Sequence, residues 1–353
     1  MFLLHRSQLQ GITGQSITLH GVCVALQNAI KLEHATIPPY LYALYSLDAS
    51  KNPQIADILQ SVVIEEMLHM ALSSNVLNAL GGAPEIDTPN FIPTYPGPLP
   101  GGVEADLTVN LAPFSMTQLK TFLRIEEPED PLVYQSLAAN PFESHCTIGQ
   151  FYTAISDAIA TLGDGVFVDP PRNQVGPDLM RESVVVVNVA TAQQAINTII
   201  EQGEGTTTSP LEGGGGIVDA LAHYYRFMEI QKGYQLVADT TAPGGYAYKG
   251  APIPFDPTGV YPVPTNPASP PGYPPGSVQA SANNNFNYTY TSLLSSLHAL
   301  FNGDASPKQM NIAIGLMMSL KGQAKAMMAG IPDPTVFTGP SFEYQPVNPG
   351  ISG

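Results

Sequence analysis

Charged residues are scarce in this chain of 353 residues, where Asp, Glu, Lys and Arg together make up 12% of the sequence. Soluble domains usually contain about 25%. Lys and Arg number only 13 against 29 Asp and Glu, which gives a formal charge of −16 at pH 7. A protein that binds nucleic acid or an anionic membrane surface needs clustered basic side chains. The composition therefore argues against a nucleic acid and against a membrane as partner, and its acidity suits bound metal cations.

Cysteine is almost absent, and long apolar runs are lacking. The only two cysteines, Cys23 and Cys146, form neither a CxxC pair nor the spacing of a zinc ribbon. Thiolate ligation of a metal is therefore not expected. No uninterrupted apolar stretch approaches the roughly 18 residues of a membrane span, and the apolar start of residues 1–14 is too short for a signal peptide. We expect a cytoplasmic protein.

Helical periodicity is the dominant pattern that is present. Apolar residues recur at three- and four-residue spacing over residues 18–48 and 52–80, which predicts two long helices. Pro38 and Pro39 interrupt the first pattern, but it resumes after them, so we expect a kink rather than an end. Shorter helical patterns cover residues 116–127, 147–162, 191–205, 216–233, 287–302 and 307–329.

Proline and glycine are concentrated in residues 83–113 and 241–276, which are expected to run over the surface as extended chain. The stretch ADLTVNL (105–111) favours a short strand, and ESVVVVNVA (182–190) is either a strand or an extended approach to the next helix. The predicted fold is mainly α, with a bundle in residues 1–235, a Pro-rich extended segment in 236–286, and a C-terminal helical extension packed on the bundle in 287–353.

The stretch SVVIEEMLHM (61–70) places acids in a helix that should be mostly buried. Glu66 and His69 are neighbours on its apolar face, whereas Glu65 lies to one side. Glu33 is the only carboxylate on the apolar face of the preceding helix. A buried carboxylate is costly unless it is paired, and a divalent cation would pair all three groups. The alternatives are an exposed Glu–His pair and a buried acid hydrogen-bonded to a tyrosine.

One glutamate from one helix and a Glu-x-x-His pair from the next form half of the di-iron site of a four-helix bundle. For the other half the sequence offers Glu201 or Glu204, together with His223 and its neighbour Asp219. Either glutamate is otherwise a solvated acid at a helix end, and His223 is otherwise a core histidine. We expect His223 and Asp219 to face the same cavity as Glu66. Mixed carboxylate and imidazole ligands suit iron or manganese, as one or two ions.

At these positions the sequence resembles a known family. The stretches LQNAIKLEHATIPPYLYALYSL, VVIEEMLHMALSSNVLNALGGAPEI, IIEQGEG and AHYYRFMEI resemble the ferritin-like domain of the iminophenylpyruvate dimer synthase family of violacein-type biosynthesis, over about residues 18–235. The resemblance implies a ferritin-like four-helix bundle with a two-metal centre. It assigns Glu33, Glu66 and His69 to the metal directly, and Glu201 or Glu204 with His223 less directly.

The resemblance has one departure and a functional implication. Gln150 stands where related chains carry an acid, so one ion would be weakly bound or missing if that position holds a ligand. The family couples imines derived from aromatic amino acids, in larger proteins with additional regions. We therefore expect a metal-dependent oxidoreductase that acts with dioxygen on a small organic substrate, and a homo-oligomer is compatible with the sequence. The alternatives are a non-catalytic metal-binding or storage protein and a metal-free polar network.

Overall fold

The computed structural model describes residues 11–13, 17–100, 107–128, 148–206, 209–211, 220–331, 333 and 335–345. Within these residues the chain is mainly helical, as predicted, and none of the helices is long and apolar enough to cross a membrane. The elements are α1 (Leu19–Tyr45), α2 (Pro53–Ala79), α3 (Met116–Ile125), α4 (Ile148–Leu162), α5 (Val189–Glu204), α6 (His223–Lys232), the strands β1 (Tyr234–Ala238) and β2 (Tyr246–Pro252), α7 (Val278–Asn302) and α8 (Pro307–Met328).

Four of these helices form the bundle. Helix α1 packs along α2 and α4 packs on α5, while α2 with α5 and α1 with α4 complete the four sides. The shorter helices α3 and α6 pack on each other, and α6 also contacts α2 and α5. The inner faces of α1 and α2 are therefore covered by two helix pairs, α4 with α5 and α3 with α6. The buried acids lie on these inner faces.

Helix α1 continues through its two prolines, as the sequence pattern predicted. It begins after Thr18, whose side chain caps the helix by accepting a hydrogen bond from the amide of Gly21 at 3.0 Å. Because Pro39 has no N–H, the carbonyl of Ala35 loses its helical partner. The Tyr95 hydroxyl donates to that carbonyl at 2.6 Å and satisfies it instead. The helix therefore reaches Tyr45 without an unpaired carbonyl at Ala35.

Asn52 precedes α2 at the capping position, but its side chain does not cap the helix. Its Nδ2 donates to the carbonyl of Asp256 at 3.0 Å, and its Oδ1 accepts from the amide of the same residue at 2.8 Å. Asn52 therefore ties the Pro-rich segment to the start of α2. Part of that segment forms an antiparallel hairpin in which Leu236 pairs with Tyr248. The sequence predicted extended chain here but not its pairing into a hairpin.

Two helix starts differ from the sequence prediction. The helix predicted at 216–233 begins at His223 in the described residues, and residues 212–219 lie outside them. The helix predicted at 287–302 begins nine positions earlier, at Val278, because the Ser277 side chain caps it by accepting from the amide of Ala280 at 3.1 Å. Residues 183–187 are an extended approach to α5 rather than a strand, and the only pairing of the predicted 105–111 strand within the described residues is a single bridge from Val109 to Gly97.

The C-terminal helices pack against the bundle, α8 on α1 and α7 on α2. The Tyr290 hydroxyl of α7 lies 2.7 Å from Nε2 of His34 in α1. The side-chain amide of Asn78 in α2 donates to the carbonyl of Phe301 at 2.7 Å. These contacts agree with an extension packed on the bundle, while the division of the chain into separate domains stays a prediction.

Candidate metal centre

The first group of candidate ligands consists of Glu33, Glu66 and His69. Helix α1 supplies Glu33, and α2 supplies the other two from neighbouring turns; all three are buried. Nδ1 of His69 lies 3.5 Å from a carboxylate oxygen of Glu33 and 4.0 Å from one of Glu66. One ligand atom from each residue lies within 4.8 Å of the others, so a single ion fits between them. The structure thus brings these three side chains together, and their binding of a metal stays a prediction.

A second group lies on the other side of Glu66 and adds Glu126 and His223. Glu126 follows the last residue of α3, and His223 is the first residue of α6. Nδ1 of His223 lies 3.0 Å from Oε1 of Glu66 and 3.4 Å from Oε2 of Glu126. These three residues also offer ligand atoms within 4.8 Å of one another. The two groups therefore share Glu66, whose two oxygens face opposite histidines.

Each histidine is fixed from outside by its second ring nitrogen. Nε2 of His69 lies 3.0 Å from Oε1 of Gln202 in α5, and the amide nitrogen of Gln202 donates to Glu182 at 2.7 Å. The amide oxygen can only accept, so the His69 Nε2 donates and carries the proton. In the neutral ring this leaves Nδ1 as the free acceptor that faces Glu33 and Glu66, which is the state a metal ligand requires.

His223 has the same arrangement with a charged partner. Its Nε2 lies 2.9 Å from Oε2 of Glu65, and Nη2 of Arg226 donates to the same oxygen at 2.6 Å. Its Nδ1 is fully buried and has no hydrogen-bond partner among the described residues, although carboxylate oxygens lie close to it. An unpartnered buried nitrogen is costly. A cation between His223, Glu66 and Glu126 would use it, so the donor set fits a metal ion.

Two tyrosines hold the outer carboxylates. The Tyr152 hydroxyl of α4 donates to Oε1 of Glu33 at 2.5 Å, and the Tyr40 hydroxyl of α1 donates to Oε1 of Glu126. Burial, and next the negative charge of the carboxylate that each contacts, raises the pKa of both tyrosines well above the usual value. They therefore stay protonated donors and orient one oxygen of each acid, which leaves the other oxygen for an ion.

The protonation of the cluster depends on its concentrated negative charge. Burial, and next the charge of Glu126, raises the pKa of Glu66 to about 8. Burial also opposes ionisation of Glu33, but the hydrogen bond and charge of His69 outweigh it and lower the pKa. The pKa values of His69 and His223 are raised despite burial, because carboxylates surround both rings. Without a cation the cluster retains protons, and bound metal ions would replace them.

The two groups line one small cavity of about 30 Å³, together with Glu127, Gly149 and Glu204 among others. A single water needs about 10–15 Å³ measured in this way, so the cavity admits only very small species. The carboxylate of Glu204 accepts from the amide of Gly149 at 2.9 Å. Gly149 lies in the first turn of α4, where the helix dipole favours a negative charge.

Comparison with known proteins agrees with this arrangement of helices. The family profile described as ferritin-like matches residues 26–232, a range that contains every residue of both ligand groups. The chain belongs to the ferritin-like family. A ferritin-like protein from Caulobacter vibrioides, known from its crystal structure, is similar to it with a TM-score of 0.63 and 24% identity, over 93% of this chain and 99% of that chain. At this identity the likeness supports the fold alone. None of the curated proteins compared matches the chain.

The remaining predicted ligands of this ferritin-like chain fall in different places. Glu204 lines the cavity, whereas Glu201 is half-buried and is not among the described residues that line it. The helical position between them, Gln202, contacts His69 instead. Asp219 lies outside the described residues. Gln150 is likewise not among the lining residues described, and Tyr152, two positions later in α4, is the residue of that helix that contacts Glu33. Metal ligation by any of these residues stays a prediction.

Glu126 is the candidate ligand that sequence reasoning missed. The pattern predicted one helix over 116–127 and gave no role to Glu126 or Glu127. The helix instead ends at Ile125, and the Glu126 side chain lies in the cavity. One signal was present: two adjacent acids at a helix C-terminus oppose the helix dipole. Such a placement is unfavourable unless a positive partner compensates for it.

Proposed function

We propose that this ferritin-like protein binds two divalent transition-metal ions, iron or manganese, in the cavity. Glu33, Glu66 and His69 would hold one ion, and Glu66, Glu126 and His223 the other. The observation that carries the proposal is the shared position of Glu66, which has one oxygen 3.0 Å from Nδ1 of His223 and the other 4.0 Å from Nδ1 of His69. Carboxylate and imidazole donors suit iron and manganese better than the all-oxygen sets that calcium prefers.

We further propose that the centre serves an oxidoreductase that uses dioxygen. Two adjacent redox-active ions supply electrons to dioxygen when they are bound. The chain's own residues orient the metal ligands and exclude bulk water. Tyr152 and Tyr40 hold one oxygen of each outer carboxylate, Gln202 and Glu65 fix the rings of His69 and His223, and the small cavity keeps out bulk water. The resemblance to the iminophenylpyruvate dimer synthase family supports an imine derived from an aromatic amino acid as the class of substrate.

A second candidate function is metal binding or storage without turnover of an organic substrate. One observation favours it: the cavity of about 30 Å³ has room for water or dioxygen, but not for an amino-acid-sized molecule. On this alternative the two groups would take up and oxidise metal ions only. An organic substrate would require the cavity lining to move, for example where α3 and α6 contribute Glu126 and His223.

The two functions are separated by oxygen consumption. The full chain is reconstituted anaerobically with Fe(II) or Mn(II), its metal content is measured, and oxygen uptake is then followed with and without imines prepared from aromatic amino acids. We expect about two ions per chain, and continued oxygen uptake only when the organic substrate is present. Uptake that stops once the bound iron is oxidised, with or without substrate, would favour storage. A metal content near zero would exclude both functions.

The control for this experiment is Glu201→Ala. Glu201 lies on the same helix as the cavity residue Glu204, but it is half-buried and outside the described lining. Its removal should leave metal content and oxygen uptake unchanged. His223→Ala should reduce the metal content to about one ion and abolish substrate-dependent uptake. Equal loss of metal in both variants would show either that Glu201 is also a ligand or that the fold is destabilised, and the melting temperatures of the variants separate these two outcomes.

A further inference from the structure

A second cavity, much larger than the first, lies between the bundle and the C-terminal helices. Its volume is about 390 Å³, and α1, α2, α7 and α8 provide most of its walls. Most of the lining side chains are apolar, among them Met67, Leu294 and Met317. No described residue lines both this cavity and the metal site. Protein interiors rarely leave voids larger than a water molecule, whereas small-molecule sites usually measure about 300–1,000 Å³.

The cavity opens to the surface between α2 and α8. Ile64, Ile314 and Met318 line it and are nevertheless 52%, 46% and 63% exposed. Large apolar side chains exposed together around an opening are unfavourable in water and mark interaction sites. At the other end the lining residues His34 and Tyr290 are buried. The cavity therefore has a solvent-exposed mouth and a buried inner end, with apolar walls between them.

The mouth carries a single charge. Lys321 is the only Lys, Arg, Asp or Glu among the described lining residues. It is half-buried, and its Nζ donates to the neutral side chain of Gln60 at 3.0 Å. In the part of the chain that the structure describes, no carboxylate lies within ion-pair distance of it. An unpaired cation at the mouth of an apolar cavity, in a protein whose net charge is −16, is suited to an anionic group.

The inner end offers one unused hydrogen-bond donor. His34 is 3% exposed, its Nε2 lies 2.7 Å from the Tyr290 hydroxyl, and its Nδ1 has no hydrogen-bond partner among the described residues. An imidazole and a hydroxyl carry at least two donor hydrogens, and their mutual bond uses one. In either tautomer one N–H or O–H is left over, which suits an acceptor oxygen.

The distance between the two ends sets the length of the occupant. Gln60 and Met70 both line the cavity from α2. Gln60 contacts Lys321, and Met70 follows His69, which lies against Glu33, the neighbour of His34. A helix rises 1.5 Å per residue, so these positions are roughly 15 Å apart along its axis. An occupant therefore needs an extended apolar body of about this length. Such a body has room for few polar groups other than those at its two ends.

We infer that this cavity binds a single-chain anionic amphiphile, with its carboxylate at Lys321, its hydrocarbon chain along the apolar walls, and a hydroxyl or carbonyl oxygen at the His34–Tyr290 pair. A fatty acid oxygenated at its far end has this chemistry. The site is independent of the metal centre and of the proposed oxidoreductase function, since it shares no described lining residue with them.

The head-group and tail preferences are tested by titrating the full-length protein with lauric acid, ω-hydroxylauric acid and lauryl alcohol below their aggregation concentrations, with calorimetry as the readout. We expect ω-hydroxylauric acid to bind most tightly and lauryl alcohol most weakly. Lys321→Gln should weaken binding of both acids by about three- to tenfold and leave the alcohol unchanged. Lys325→Gln, an exposed position of the same helix outside the described lining, is the matched control.

Two further variants test the inner end and the walls. The double variant His34→Phe/Tyr290→Phe, which removes both donors of the pair, should abolish the preference for ω-hydroxylauric acid over lauric acid. Ala71→Phe, at a buried lining position, should abolish binding of both acids. An unchanged far-ultraviolet circular dichroism spectrum shows that each variant is folded. Absent binding of the acids to the wild-type chain, equal affinity for acid and alcohol, or unchanged binding by Ala71→Phe would each overturn the inference. A concentration-dependent dimer that excludes both acids would also overturn it, because a second copy would then cover the mouth.

Discussion

The imidazole rings of His69 and His223 are nearly parallel, with centroids 5.3 Å apart and planes inclined by 22°. Each ring directs Nδ1 towards Glu66, and each is bonded at Nε2 to a partner outside the cluster. The two halves of the candidate centre therefore repeat one design around a shared carboxylate. Helix α2 supplies Glu66 and His69, whereas His223 comes from the start of α6. The symmetry of the site is thus spatial and is not repeated in the sequence.

Removing the shared carboxylate should differ from removing an outer one. We expect Glu66→Ala to lose nearly all bound metal, because both ligand groups contain Glu66. Glu126→Ala should lose about one ion per chain, since only the second group contains it. Elemental analysis after anaerobic loading measures both. A Glu126→Ala protein that still holds two ions would show that Glu126 is not a ligand and that the second group is a polar network.

The outer partner of a histidine should affect affinity more than stoichiometry. Glu65 accepts from Nε2 of His223 and from Arg226, so Glu65→Ala leaves the ring unsupported and removes one carboxylate contact of Arg226. Loss of such partners commonly costs about 10- to 100-fold in metal affinity. We expect one of the two ions to bind more weakly by this factor, while saturating metal still fills both sites. Competition with a chelator measures the affinity of each ion.

Ser61→Ala is the matched control for Glu65→Ala. The Ser61 hydroxyl accepts from Nη1 of Arg226 at 3.0 Å, so this variant removes a different bond of the same arginine. It leaves the contact between Glu65 and His223 intact, and metal affinity should therefore stay near that of the wild type. If both variants bound metal equally weakly, the loss of affinity would result from a displaced Arg226 rather than from the missing contact between Glu65 and His223.

Metal binding should tighten as the pH rises. The pKa of Glu66 is raised from 4.5 to about 8, so the metal-free folded chain holds this proton below about pH 8. This proton stabilises the folded metal-free chain fully below pH 4.5, the ordinary pKa of a glutamate. The stabilisation is lost as the pH rises through about 8, the pKa in the folded chain. A metal ion must displace that proton and those on His69 and His223. The difference in melting temperature between loaded and metal-free protein should therefore grow across this range, and its independence of pH would contradict the assignment.

The sequence predicted the first half of the site because the relevant signal is local. Glu33, Glu66 and His69 occupy apolar helix faces, and polar residues at such positions are conspicuous in a 3.6-residue pattern. The continuation of α1 through Pro38 and Pro39 was predicted for the same reason. In both cases neighbouring residues of one helix determine the outcome, and tertiary packing only confirms it.

The second half was harder to predict because it depends on where helices end. Glu126 reaches the cavity since α3 stops at Ile125, and His223 does so from the first position of α6. Helix boundaries are the least certain part of a pattern reading, and side chains beyond them no longer follow its angles. The choice between Glu201 and Glu204 depended on the same uncertainty. Glu204 lies in the cavity because it faces the amide of Gly149, a residue of a different helix.

Because Glu204 contacts Gly149, alanine substitutions at Gly149 and at Gly203 should have opposite effects. A Cβ at Gly149 would lie 2.5 Å from Oε2 and 2.9 Å from Cδ of Glu204, so Gly149→Ala must displace this carboxylate from the start of α4. Gly203, in α5, also lines the cavity, but a Cβ there would meet none of the described residues within 4 Å. Alanine is favoured over glycine inside a helix by about 0.5–1 kcal/mol. We therefore expect Gly203→Ala to raise the melting temperature of the metal-free protein and to keep its metal affinity.

Gly149→Ala should instead weaken metal binding and gain no stability, because the Glu204 carboxylate loses both its amide hydrogen bond and its favourable position at the helix N-terminus. Calorimetric melting of the metal-free proteins and chelator competition of the loaded proteins compare the two variants directly. The outcome also separates two roles of Glu204. If Gly149→Ala lowers stability but leaves the affinity for both ions unchanged, Glu204 serves only to cap α4. If the affinity falls while Gly203→Ala retains it, the Glu204 carboxylate acts on the metal site.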